Sequence, residues 1–182
     1  VGSLSTLSNG DVTFGSFNRA NKLSREVVAQ WSALLRALPE SRLMLAGLLM
    51  TARSAGARVL AEEDWQAYAA RFVSVDGRVV DTGNGGVSHS EGQGYGMLLA
   101  QAAGDRTAFD RIWQWAERHL AVRDDALFAW RWDPARPDRP VADRNSAADG
   151  DILITWALLR AAADWGQAPY RERARQLADA VR

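Results

Sequence analysis

The sequence holds no cysteine, a single lysine and only two histidines. The missing cysteines exclude a disulfide framework, a thiolate zinc site and thiol catalysis. Two histidines do not make a metal site, so His89 reads as a hydrogen-bonding loop residue. No stretch approaches the roughly 18 apolar residues of a membrane span, and Leu43 to Met50 is far too short. Net charge is absent too, because 22 Lys+Arg balance 22 Asp+Glu, and with it goes any global attraction for nucleic acid. The chain opens on Val1-Gly2-Ser3 with no basic start before an apolar core, so no secretory signal peptide is visible.

What is present describes an ordinary globular chain, with 47% apolar and 24% charged residues, enough to bury a core. Eight tryptophans are many for 182 residues, and flat apolar rings with a polar edge are useful where carbohydrate is bound.

Asp11 to Phe17 alternates like a short strand. Ser24 is placed to cap a helix carrying Val27, Val28, Trp31, Leu34, Leu35 and Leu38, which Pro39 stops. Arg42 to Leu45 is a second strand candidate, which completes a strand-helix-strand unit of the parallel-sheet kind. From Ala46 no further strand alternation is seen, and a boundary is placed near Ala57. Trp65, Tyr68, Ala69 and Phe72 then mark an amphipathic helix. Val73 to His89 is loop-like, with Asp76-Gly77 and Thr82 to Gly86 as turn signals. Glu91 to Ala103 reads as a helix opened by Ser90. Ala108 to Leu120 is another, with Phe109, Ile112, Trp113, Ala116 and Leu120 on one stripe. Leu127 to Trp132 is a short extended piece, Asp133 to Asn145 a proline-bearing surface loop, and helices follow over Asp151 to Trp165 and Tyr170 to Val181.

Three segments could carry chemistry. Gly83 to Gly96 holds six glycines in fourteen residues, each unfavourable by about 1 kcal/mol wherever it falls inside a helix, so close approach of a chain or ligand is the expected return. Within it Glu91 stands beside Tyr95, and a carboxyl desolvated in such a cleft suits a general acid. The plainer alternative is a glycine-rich packing seam in which Glu91 favours the helix dipole. In Asn145 to Leu159, Asp149 and Asp151 flank Gly150 ahead of an apolar helix; they read either as caps for free amides or, for Asp149, as the second carboxyl that glycoside hydrolysis needs opposite Glu91. Trp130-Arg131-Trp132 sends its two indoles to one side if extended, which suits stacking on glucose rings or, equally, core packing.

Taken together, residues from about 60 to 182 resemble glycoside hydrolase family 8, specifically the bacterial endoglucanases encoded with cellulose synthase. The resemblance rests on Trp65-x-x-Tyr68-x-x-Arg71-Phe72, on Ser90-Glu91-Gly92-Gln93-Gly94-Tyr95-Gly96-Met97, on Ala129-Trp130-x-Trp132 and on Asn145-Ser146-Ala147-x-Asp149-Gly150-Asp151. It implies an inverting endo-β-1,4-glucanase (cellulase) acting without cofactor or metal. In that reading Glu91 is the general acid, Asp149 the signature aspartate at the cleavage subsite, and Tyr95, Trp130, Trp132 and Asp151 bind the β-1,4-glucan. A periplasmic or secreted location and a link to cellulose synthesis machinery follow from the same resemblance. The family's general base lies well downstream of the Asp149 motif, and the 31 residues after Asp151 contain no candidate for it.

The implied fold is mainly α: a partial (α/α)6 barrel, about half of the toroid, preceded by a short β-α-β unit. A full barrel of about twelve helices needs about 190 residues at 11–12 per helix and 4–6 per loop; residues 60 to 182 number 123, room for about seven. Residues 1–57 form the expected strand-helix-strand remnant and 58–182 the hydrolase part. In the former, Val12 to Asn18, Lys22, Trp31 and Pro39-x-Ser41-Arg42-Leu43 resemble the start of the nucleotide-binding half of the O-linked N-acetylglucosamine transferase family. The alternative functions are an inactive truncated or chimeric chain with weak glucan binding, or a piece of a sugar-nucleotide transferase.

Overall fold

The computed structural model describes residues 62–181 and, ahead of them, the three strands β1 (Thr13–Ser16), β2 (Arg42–Leu45) and β3 (Leu48–Thr51). β1 runs parallel to β2, with Thr13 opposite Arg42, as a strand-helix-strand unit requires. The helix expected over residues 24–38 and the boundary near Ala57 lie outside the described residues. β3 is a correction: strand structure does not end at Ala46, because Leu48–Thr51 folds back antiparallel on β2. Only two residues separate the strands, a hairpin spacing, and a short continuous apolar run hides its strand character from a periodicity argument.

Helix α1 (Glu62–Phe72) opens on Glu62, Glu63 and Asp64, which favour its positive end, and buries Trp65, Tyr68 and Phe72 along one stripe. Trp65 Nε1 donates to Asp105 Oδ2 at 3.0 Å, tying α1 to the start of α3 (Arg106–His119), whose N-terminus Asp105 caps through Ala108 N–H at 2.9 Å. Between α1 and the next helix the chain makes tight turns closed by the bridges Val73 to Val79 and Asp81 to Val87. Gly77 sits at φ +93°, and a Cβ there would lie 2.2 Å from Arg111 O, so only glycine fits. The excursion ends in β4 (Ser88–His89), which pairs antiparallel with β5 (Arg131–Trp132); the stretch expected to be loop-like thus carries a short strand.

Helix α2 (Ser90–Ala102) is the centre of the molecule, buried from Gln93 through Gln101. A helix enclosed on nearly all sides reads as apolar all round rather than striped. It packs on α3 and on α4 (Ala148–Trp165), and α4 packs on α5 (Ala168–Ala180). Gly166 ends α4 at φ +67°, the left-handed helix stop, and Pro169 opens α5. The core closes around Trp65, Met97, Phe109, Ile112, Trp115, Phe128, Ile154 and Leu158, each such side chain stabilising by about 1.5–3 kcal/mol through burial.

The result is the expected architecture, mainly α and a partial toroid, with α2–α3 and α4–α5 as successive helix pairs. Five helices stand among the described residues, not about seven. The difference lies in two long non-helical connections, Val73 to His89 and Leu120 to Ala147, which carry Asp81, His89 and Trp130.

Candidate active site

Residue 89 leads into α2 in an extended conformation (φ −118°, ψ 150°), paired in register with Arg131. Ser90 N–H donates to Trp130 O at 3.0 Å, so the Trp130–Trp132 segment is fastened across the mouth of α2. One residue further on, Glu91 is half-buried in the first turn. Tyr95 follows one turn later on the same face and donates its hydroxyl to Glu91 Oε1 at 3.1 Å. Gln93 anchors this turn from below, its Nε2 donating to Val79 O at 3.2 Å.

A small cleft opens here, lined by Val79, Val80, Asp81, His89, Glu91, Gly92 and Tyr95. Asp81 is a residue to which sequence reasoning assigned no role. Its Oδ1 accepts Gly83 N–H at 3.1 Å and its Oδ2 lies 3.7 Å from His89 Nδ1. His89 in turn stacks on Trp130 with ring centres 5.7 Å apart and planes at 15°. The only available signal was the acidic residue opening a glycine-rich turn just ahead of the Glu91 helix.

The second acid arrives on α4. Gly150 abuts the start of α2 so closely that a Cβ on it would lie 2.1 Å from Ser90 Oγ and 2.9 Å from Glu91 N. One turn into the contact, a Cβ at Gly94 would be 2.6 Å from Leu153 Cβ. The glycines therefore do form a packing seam, and the seam sets the Glu91 and Asp149 helix starts side by side. Asp149 is half-buried, with Oδ1 accepting the Gly150 N–H at 2.8 Å. Neither aspartate is the N-cap; that position is Ala147, which makes no side-chain cap bond.

Asp151 does not face the cleft as a glucan contact should, since its side chain is fully buried. Its Oδ1 accepts Phe128 N–H at 2.9 Å, and its Oδ2 has no partner among the described residues. Burial pushes this carboxyl up to about 6, opposed by the Phe128 hydrogen bond. The residue fixes the chain that leads to Trp130.

The two tryptophans also separate. Trp130 reaches the cleft edge against His89, with Nε1 donating to Asp143 Oδ2 at 2.8 Å. The Asn145 N–H and this indole hold the Asp143 carboxyl below the usual carboxylate range. Trp132 turns inward instead. It meets Trp115 edge-to-face at 5.7 Å, lies under the Arg78 guanidinium at 4.9 Å, and has a buried Nε1. Of the two indoles expected to share one side, only Trp130 stands at the cleft edge, and Trp132 packs inside.

Two carboxyl-bearing helix starts stand side by side next to an aromatic-edged cleft, and paired carboxyls are what glycoside cleavage uses. The chain belongs to glycosyl hydrolases family 8, whose model matches residues 38–181. It is 49% identical over 129 residues to an endoglucanase of Cellulomonas uda, covering 71% of this chain and 36% of that protein. Among solved structures it resembles a family 8 endo-β-1,4-glucanase from an Achatina fulica gut metagenomic library, at 51% identity and TM-score 0.63, covering 68% of this chain and 39% of that one. A Klebsiella pneumoniae endoglucanase of the same family follows at 50% identity and TM-score 0.62, with 64% and 37% covered. The chain thus spans little more than a third of the length of these relatives.

Proposed function

We propose that this chain carries the acid half of an endo-β-1,4-glucanase site, with Glu91 protonating the leaving glycosidic oxygen and Asp149 holding the sugar at the cleavage point. The observation that carries the reading is the Ser90–Gly150 contact, which sets Glu91 and Asp149 on abutting helix starts, with the Tyr95 hydroxyl on Glu91. Similarity to endoglucanases at about half identity supports the substrate class. In an inverting enzyme a separate base activates water about 6.5–9.5 Å from the acid, and no residue described here is assigned to that part. Trp130 is the proposed stacking surface for a glucose ring, and Asp151 and Trp132 support it from within.

A periplasmic or secreted location and an association with cellulose synthesis belong to the same proposal. So does a division into residues 1–57 and 58–182, although the family match already begins at residue 38. The transferase likeness of the first segment rests on its sequence motifs alone, and we attach no activity to it.

The test is reducing-end release from carboxymethylcellulose by the protein and by Glu91→Gln. General acid catalysis supplies typically 10²–10⁴-fold, so a loss of at least about a hundredfold with glucan binding retained is expected. Equal rates in the two proteins would remove Glu91 as the acid.

A further inference from the structure

We infer that Asp81 and His89 are positioning residues of the glucan cleft: the aspartate orients the imidazole, and the imidazole holds Trp130 as the wall on which a sugar ring stacks. This rests on the endoglucanase reading and extends it to two residues that no motif singled out for that part.

Asp81 is itself preset. Its backbone is bridged to Val87 and its Oδ1 is engaged by Gly83 N–H at 3.1 Å, which leaves Oδ2 aimed at His89 Nδ1. At 3.7 Å that contact is electrostatic, or bridged by one water, rather than a direct hydrogen bond. His89 has its backbone locked by the register with Arg131, so its side chain has little freedom beyond rotation about its own bonds. The stack on Trp130, 5.7 Å and 15°, lies within the range of favourable aromatic pairs. The indole is thereby gripped at its edge by Asp143 and on a face by His89, while the Arg131 guanidinium lies over the ring 5.9 Å from its centre, a flexible cation that an incoming sugar displaces. A ring already held in its binding pose loses little conformational freedom when a sugar arrives.

Exposure argues for a part in the cleft rather than in the core. The side chains of His89 and Asp81 are 24% and 26% exposed and line the same cleft as Glu91 and Tyr95. By contrast, Trp132, two residues from Trp130, is packed onto Trp115.

The experiment measures cello-oligosaccharide binding in the Glu91→Gln background, with kcat and KM taken in the active protein. His89→Ala should weaken binding about tenfold, the magnitude of one lost aromatic pair, with the larger share of the kinetic loss in KM. His89→Phe keeps a ring to stack and should recover most of that loss. Asp81→Ala should weaken binding by less, and should add almost nothing to His89→Ala if the aspartate acts through the histidine. Tight binding by His89→Ala, or a folded His89→Phe as weak as the alanine variant, overturns the inference. If the Glu91→Gln parent itself fails to bind and the active protein fails to cleave, the endoglucanase reading falls instead. The pair is then judged by 19F NMR of 5-fluorotryptophan-labelled protein, with the Trp130 resonance identified by its loss in Trp130→Phe. A shift of that resonance in His89→Ala supports the pair, and an unmoved one overturns it.

Discussion

In the proposed reaction Glu91 gives up a proton at one moment and holds it at others, and the Tyr95 hydroxyl 3.1 Å from its Oε1 is placed to steady the carboxyl between those states. Tyr95→Phe removes only that oxygen from a side chain that is otherwise buried at 5% exposure. Hydrolysis of carboxymethylcellulose by Tyr95→Phe should fall about tenfold, the worth of a hydrogen bond to a charged group, while the thermal midpoint shifts by only a few degrees. Asp151 makes a prediction of a different kind. Its carboxyl binds a proton more tightly folded (about 6) than unfolded (3.8), so the folded chain carries more protons between those values and stability falls as pH rises through them. Its contribution is intact below about pH 4 and lost above about pH 6, a swing on the order of 2–3 kcal/mol. Asp151→Asn keeps an acceptor for Phe128 N–H and should flatten the stability profile from pH 4 to 7, measured by urea unfolding. An unchanged slope would mean that Asp151 is not the group responsible.

At the scale of elements, the contact between α2 and α4 joins packing to chemistry. Gly150→Ala puts a methyl 2.1 Å from Ser90 Oγ and 2.8 Å from Ser90 Cβ, so one helix start must shift. The expected outcome is a stability loss of about 1–3 kcal/mol from overpacking, together with a fall in hydrolysis out of proportion to it, because the two carboxyls part. Ser90→Gly in the same chain removes both obstructing atoms and should restore part of the activity, though Glu91 N remains at 2.9 Å. Recovery of neither stability nor rate in the double variant would mean that the Ser90 side chain is not what sets the helix spacing. Gly77→Ala tests the fold away from the site. With φ at +93° and Arg111 O at 2.2 Å, it should lower stability by roughly 2–4 kcal/mol in denaturant unfolding.

Across the whole molecule, α4 leaves Ile152 and Leu159 exposed at 55% and 44%, two turns apart on one face. Because both are surface-exposed, replacing them with glutamine should change unfolding free energy by no more than about 0.5 kcal/mol each. Sedimentation of the two forms checks whether the face also drives self-association. The opposite face of the same helix carries Leu153, Ile154, Ala157 and Leu158 into the core. No described helix is long and apolar enough to cross a membrane.

Helices α1 and α3 were legible because a 3.6-residue stripe records burial directly in residue type, and α4 because its run is apolar throughout. The stripe read for α3 included Trp113, yet the structure buries Trp115, which lies off that stripe, and leaves Trp113 half-buried on Phe128, because Trp132 from the following connection packs onto Trp115. Glu91 and Asp149 stood out because glycines and acids crowd the starts of two helices, a local pattern that needs no knowledge of the fold. What required the tertiary structure was everything set by contacts between segments distant in the chain. Asp81 faces His89 only because β4 is pinned across β5, Asp151 is lost to the interior because Phe128 N–H needs an acceptor, and Trp132 turns inward while Trp130 does not. Residue type and spacing report a side chain's chemistry and the face of its own helix. Which partner it meets, and whether water still reaches it, is decided by the packing of elements many residues apart.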